Sequence, residues 1–342
     1  MSRPSLVSVG WALGLGLGAV ASPSVAAGQG AGAAGAYTAP RTPDGQPDLQ
    51  GFWSNQTYIS LERPDGVTSE YYTAEELAAI VSGAATQESA QTDPGTIPDV
   101  HYDFTQFGLD RSQAARADNL RTSLIVDPPS GRLPPVNAAG RRRAAEREAA
   151  QERLGGRWDS AEANQLDDRC LMMAAAGPPM MNTGYNSNFQ IVQSPDSVMI
   201  LAEMIHDARV VPLDGAARRR PAAGFAQWIG LSRGWWEGET LMVETSNFNA
   251  KNPFRGSSEQ MIVTERFTRV ADDRIDYRFT VDDPGTWDRP WTAEQPMQRS
   301  RGPLFEFACH EGNYGLYNTL VGARLEEAAQ RTAEAAQPGG SR

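Results

Sequence analysis

Histidine, the side chain best suited to moving protons near neutral pH, occurs only three times, at His101, His206 and His310. His206 stands in Glu203-Met-Ile-His-Asp-Ala-Arg209, at the end of an apolar run, with Asp207 beside it and Arg209 three residues on. His310 follows Cys309 and precedes Glu311-Gly-Asn-Tyr314, so a second imidazole also has a carboxylate next to it. A carboxylate beside an imidazole orients it and raises its basicity, which is what a general base needs. The loop Asn182-Thr-Gly-Tyr-Asn-Ser-Asn-Phe189 adds a tyrosine that could serve as an acid, together with amides that offer paired donors and acceptors. The catalytic candidates are therefore His206 or His310 as base, Tyr185 as acid, Asp207 and Glu311 as partner carboxylates, and Arg209 as the holder of developing negative charge. Asn186, Asn188 and Asn313, with Trp228 and Trp287 as apolar faces, are the candidates for holding a hydroxylated ligand. Each has a bland counterpart: histidines satisfied by hydrogen bonds, amides that simply build loops, and tryptophans that fill a core.

A metal site built from His206, Asp207, His310 and Glu311 would lack both the close histidine spacing of HExxH and a Cys/His zinc pattern, so neither metal nor cofactor is expected. The sequence contains no GxSxG elbow, no P-loop and no dinucleotide fingerprint between a strand and a helix. With 31 Lys+Arg against 42 Asp+Glu the net charge is -11, and the broad positive field that holds a protein on nucleic acid is missing.

These residues must be held by something, and the 342 residues, 40% hydrophobic and 21% charged, have the composition of an ordinary globular protein. Residues 1–27 read as a Sec signal peptide: Arg3, then a short apolar run from Leu6 to Val20, then Ser24-Val25-Ala26-Ala27 for cleavage. No other apolar run approaches membrane-spanning length, so a secreted or periplasmic protein without a membrane span is expected. In an oxidising compartment the two cysteines, Cys170 and Cys309, pair most simply as a disulfide. That bond would bring Asp167-Asp168-Arg169 close to His310-Glu311.

Residues 28–48 read as a flexible linker and extended arm, 49–322 as one β-rich domain with a helical insertion around 138–154, and 323–342 as a helical or disordered tail. Leu49–Trp53 and Tyr58–Leu61 suggest extended elements, and Thr73 caps a helix with acids in its first turn. Strands are expected within 124–135, where a Pro-Gly turn closes a short apolar run as a hairpin edge, and at 189–193, 198–205, 209–213, 240–245, 262–267, 274–281 and 304–309. In the seventh, Ile275, Tyr277, Phe279 and Val281 alternate with polar residues, as on an antiparallel strand with one wet face. Many short antiparallel strands argue for a mainly β fold, an antiparallel barrel or curved sandwich of lipocalin-like type with a few peripheral helices.

Pro47-Asp-Leu-Gln-Gly-Phe-Trp53, Leu61-Glu-Arg-Pro64, Arg121-Thr-Ser-Leu-Ile-Val-Asp-Pro-Pro129, Asp168-Arg-Cys-Leu171, Ile205-His-Asp-Ala-Arg209 and Cys309-His-Glu-Gly-Asn-Tyr314 occur together and in this order. In these motifs the chain resembles a large group of uncharacterised secreted bacterial proteins. The resemblance covers nearly all of the chain after the signal, implies a single secreted unit, and brings no catalytic residues with it. Two functions are expected from the residues themselves, ahead of a structural or interaction role in the envelope. One is a secreted enzyme, a lyase or hydrolase, acting by acid/base chemistry on a carbohydrate, another polyol or a plant-derived small molecule. The other is a lipocalin-like protein that binds an apolar or aromatic ligand without turning it over.

Overall fold

The computed structural model describes residues 37–88, 116, 119–156, 158–173, 176–182, 186–213 and 224–336. The expected signal peptide, residues 28–36 of the expected linker, His101 and Tyr185 lie outside the described residues.

Alternating apolar residues write most of the strands: β1 (Gly51–Ser54), β2 (Ile125–Asp127), β3 (Asn188–Gln193), β4 (Ser197–Ala202), β5 (Ala208–Pro212), β6 (Leu231–Glu237), β7 (Thr240–Ser246), β8 (Ile262–Ala271), β9 (Arg274–Asp282), β10 (Trp291–Glu294) and β11 (Met297–Arg299). Nine of them follow one another in the order β5-β4-β3-β1-β11-β9-β8-β7-β6, every neighbouring pair antiparallel, with β10 and β2 attached beside β9. An odd number of strands alternating in direction brings its two ends together parallel, and the Leu213–Gly234 bridge that joins them is parallel. The result is a nearly closed antiparallel barrel.

The period of two decides which side chains enter it. On β9, Ile275, Tyr277, Phe279 and Val281 are all at most 1% exposed, while Asp276 and Arg278 face water. Phe267 and Tyr277 lie 4.9 Å apart between ring centres, Tyr277 and Phe279 5.7 Å, and Phe279 and Trp291 5.8 Å, so a contiguous aromatic stack fills this part of the interior. Near one end of the barrel, Arg269 donates to the Asp48 and Asp272 carbonyls, and Arg299 lies over the Trp53 ring.

Among the described residues three α-helices sit outside the barrel. In α1 (Ala74–Glu88) the Thr73 hydroxyl accepts from Glu76 N while the Glu76 carboxylate accepts from Thr73 N, a reciprocal cap. Helix α2 (Ala138–Arg153) is capped by Asn137 and tied to the barrel by Arg143 and Arg147, which donate to the carbonyls of Gly256, Ser257 and Gly285. Helix α3 (Tyr314–Ala336) begins nine residues before the expected tail.

Four expectations change. The strand expected over 198–205 stops at Ala202, because Met204–His206 turns as one tight helical turn with Ile205 and His206 in the left-handed region. Residues 304–309 form no strand: β11, the strand they follow, is already paired on both sides, by β1 and β9. Tyr58–Leu61 also forms no strand. Conversely β6, β10 and β11 form where tryptophans and turn residues obscured the alternation.

Candidate functional site

The end of β4 and the start of β5 carry the first candidate cluster. Glu203, 3% exposed, directly follows β4, with its carboxylate accepting from Asn188 Nδ2 at 3.2 Å and from Phe305 N at 3.1 Å. Its carbonyl accepts from His206 N at 3.3 Å, which closes the turn. Ile205 has φ 59° and His206 φ 54°, a backbone conformation that costs L residues about 1–2 kcal/mol each. Strain of this kind persists only where the surroundings impose it, and it gathers at working sites. The turn leaves the His206 imidazole exposed and Asp207 half-buried. Burial pushes the Asp207 carboxyl above the usual carboxylate range, and its Oδ2 is buried without a hydrogen-bond partner.

Arg209 is not part of that cluster. On β5 it alternates inward with Val211, and its guanidinium meets the Glu265 carboxylate, NH2 to Oε1 at 3.0 Å. Tyr277 donates to the same carboxylate at 2.9 Å and accepts from Met180 N at 3.0 Å. Burial pulls the Arg209 pKa down, but the charge and hydrogen bonds of Glu265 outweigh it and hold it above the ordinary value. Burial first, and then the Glu265 charge, drive the Tyr277 hydroxyl well above its usual range, so it stays a donor. The expected anion holder is thus committed to a buried ion pair. Glu265 was missed, although in Val263-Thr-Glu265-Arg-Phe267 it shares the inward register with two apolar residues.

The second cluster surrounds the Cys170–Cys309 disulfide, which closes a separation of 139 residues as expected. It brings Asp167 and Asp168 beside the segment carrying His310 and Glu311, both of them exposed. Asn313 does structural work here: its Nδ2 donates to the Asp168 carbonyl at 2.8 Å, and its Oδ1 accepts from Leu316 N at the start of α3. A cleft of about 350 Å³ opens between Asp167, Asp168, Asn313 and the two half-cystines.

The remaining candidates divide. Asn188 belongs with Glu203, and Asn186 lies two residues away with φ 50°. Trp287 is 2% exposed with its ring edge-on to Trp291 at 5.8 Å, a core position rather than a ligand face. Trp228 is half-buried against the core. The structure therefore gathers Glu203, His206, Asp207 and Asn188 at one place and His310, Glu311 and Asn313 at another, joined by the Phe305–Glu203 hydrogen bond. Among the described residues no three His, Cys, Asp or Glu side chains converge in the manner of metal ligands, and no described helix is long and apolar enough to cross a membrane. Comparison of the chain with protein-family models, curated proteins and solved structures returns no match.

Proposed function

We propose that this chain is a secreted enzyme that performs acid/base chemistry on a carbohydrate or other polyol, as a lyase or a hydrolase, with its centre at the Met204–His206 turn. The observation that carries the reading is the exposed His206 imidazole on a left-handed turn between two carboxyl groups of different environment. Glu203 is buried and already engaged by two donors, so it positions the turn. Asp207 favours its protonated form more than an exposed aspartate does and has an oxygen without a partner. In this scheme His206 withdraws a proton, from a substrate carbon as a double bond forms in elimination or from the water that bonds to carbon in hydrolysis, and Asp207 supplies one to the leaving oxygen as its bond to carbon breaks. Two titratable groups in contrasting environments are the general basis for such a division of labour.

The binding alternative needs room inside the barrel for an apolar ligand. The stack of Phe267, Tyr277, Phe279 and Trp291 occupies part of that space and weighs against it. The disulfide fits an oxidising compartment and so supports secretion.

The test is a screen of the chain on plant polysaccharides and nitrophenyl glycosides, reading release of reducing ends and the ultraviolet absorbance of a newly formed double bond. His206→Asn is the informative variant, because asparagine tolerates the left-handed backbone at that position. The expected result is turnover by the native chain and a loss of about 100-fold or more in the variant. Unchanged activity in His206→Asn, or no turnover across the panel while a ligand co-purifies, would overturn the proposal.

A further inference from the structure

Both half-cystines line the 350 Å³ cleft, yet they are not equivalent. Cys170 is 3% exposed, while Cys309 is half-buried, so Cys309 is the more accessible residue of the pair. Cys170 has φ 55°, the left-handed region, and its Sγ lies 3.5 Å from the Asn313 Nδ2 donor. A hydrogen bond to sulfur is worth more once that sulfur carries charge. Asn313 is therefore placed to stabilise a thiolate at Cys170. The cleft walls add a charge preference, since Asp167 and Asp168 line it and, among the described residues, no lysine or arginine does.

We propose that the Cys170–Cys309 bond is a thiol-exchange site for small aminothiols, attacked at Cys309 with Cys170 as the leaving group. The incoming thiolate sulfur bonds to Cys309 Sγ, the bond between the two cysteines breaks, and its electron pair goes to Cys170 Sγ. A second aminothiol thiolate then attacks the sulfur of the first on the mixed disulfide, releasing the Cys309 thiolate and the oxidised aminothiol. The two thiols supply both electrons. An ammonium on the reagent is drawn to the two carboxylates, whereas an anionic group is repelled.

The consequence lies in residues 300–313, which form neither helix nor strand. Their ties include Ser300 N to the Phe52 carbonyl at 2.8 Å, Phe305 N to Glu203 at 3.1 Å, Asn313 to Asp168, and the disulfide. Exchange removes the covalent one and leaves the segment on hydrogen bonds.

The experiment treats the folded chain with cysteamine or with 2-mercaptoethanesulfonate, quenches with iodoacetamide and locates the adduct by peptide mass, with an unhindered cystine peptide correcting for intrinsic reactivity. Expected are a cysteamine adduct on Cys309, alkylation on Cys170, and a corrected rate several-fold higher for cysteamine than for the sulfonate. Asn313→Ser keeps an N-cap side chain at the start of α3 but is too short to reach the sulfur, and should slow exchange about tenfold. An adduct on Cys170, no reaction until urea is added, no preference for the aminothiol, or an unchanged rate in Asn313→Ser would each overturn the proposal. The readout needs no substrate, so its failure is distinct from failure of the enzyme reading.

Discussion

Arg209 of β5 and Glu265 of β8 meet inside the barrel, 4% and 0% exposed, although five strands separate theirs along the sheet and two, β6 and β7, across the seam. Removing one partner of a buried pair strands the other charge, which costs about 3–5 kcal/mol. Glu265→Leu and Arg209→Met should therefore each lower unfolding free energy by that order in urea titrations. Arg209→Met combined with Glu265→Leu should cost clearly less than the two single changes together, because no charge is left unpaired. Additive losses would show that the two groups do not depend on each other.

The meeting of β5 and β6 sets a second expectation. A Cβ on Gly234 would lie 2.8 Å from Val211 Cγ1 and 3.0 Å from Leu213 Cδ2, both on the opposite side of the seam. Gly234→Val should therefore push the two strands apart and cost about 1–3 kcal/mol, seen as a lower denaturation midpoint. A midpoint equal to the native one would mean that the seam is looser than the bridge between Leu213 and Gly234 implies.

Asp207 gives the third, through pH. Its carboxyl is raised in the folded state by burial, so the folded chain holds that proton to higher pH than the unfolded chain does. The contribution of Asp207 to stability is then most favourable below its unfolded pKa and is lost as pH climbs through the folded value. Asp207→Asn should melt at a higher temperature than the native chain at neutral pH, with the gap shrinking in acid. A gap that is constant with pH, or reversed, would refute the assignment of burial as the cause.

The disulfide gives a fourth. Replacing Cys170 and Cys309 by serine frees a loop with a sequence separation of 139. A loss of about 2–5 kcal/mol in chemical denaturation is expected, and no loss would mean that noncovalent ties already hold residues 300–313 in place.

The barrel was legible where the alternation was clean, as at Ile275 to Val281, because burial on one face and water on the other leave a period of two that nothing else imitates. β6 was obscured because Gly234 and adjacent Trp235 and Trp236 break that period, and β10 and β11 because four and three residues are too few to show one. At Leu304 to Cys309 the apolar pattern was present but the preceding strand, β11, already has β1 and β9 on its two sides, which is a property of topology and not of local sequence. The candidate site divided in the same way. His206 beside Asp207 was readable as chemistry, and the Cys170–Cys309 pair as a disulfide. The inward turn of Arg209 was not, because its direction depends on where β4 stops and how Met204–His206 reverses the phase of the chain.

β1 also governs the order in which the molecule can be assembled. Trp53 lies between Phe189 of β3 and Arg299 of β11, so one of its two neighbours is among the last strand residues to be made. The earliest strand must wait, unpaired along one side, until almost the whole chain has emerged. Contacts so distant in sequence slow folding and leave apolar strands uncovered in the meantime. A chain cut short before Met297 would therefore be a ring with a gap beside Trp53, and a target for proteases and chaperones instead of a smaller barrel.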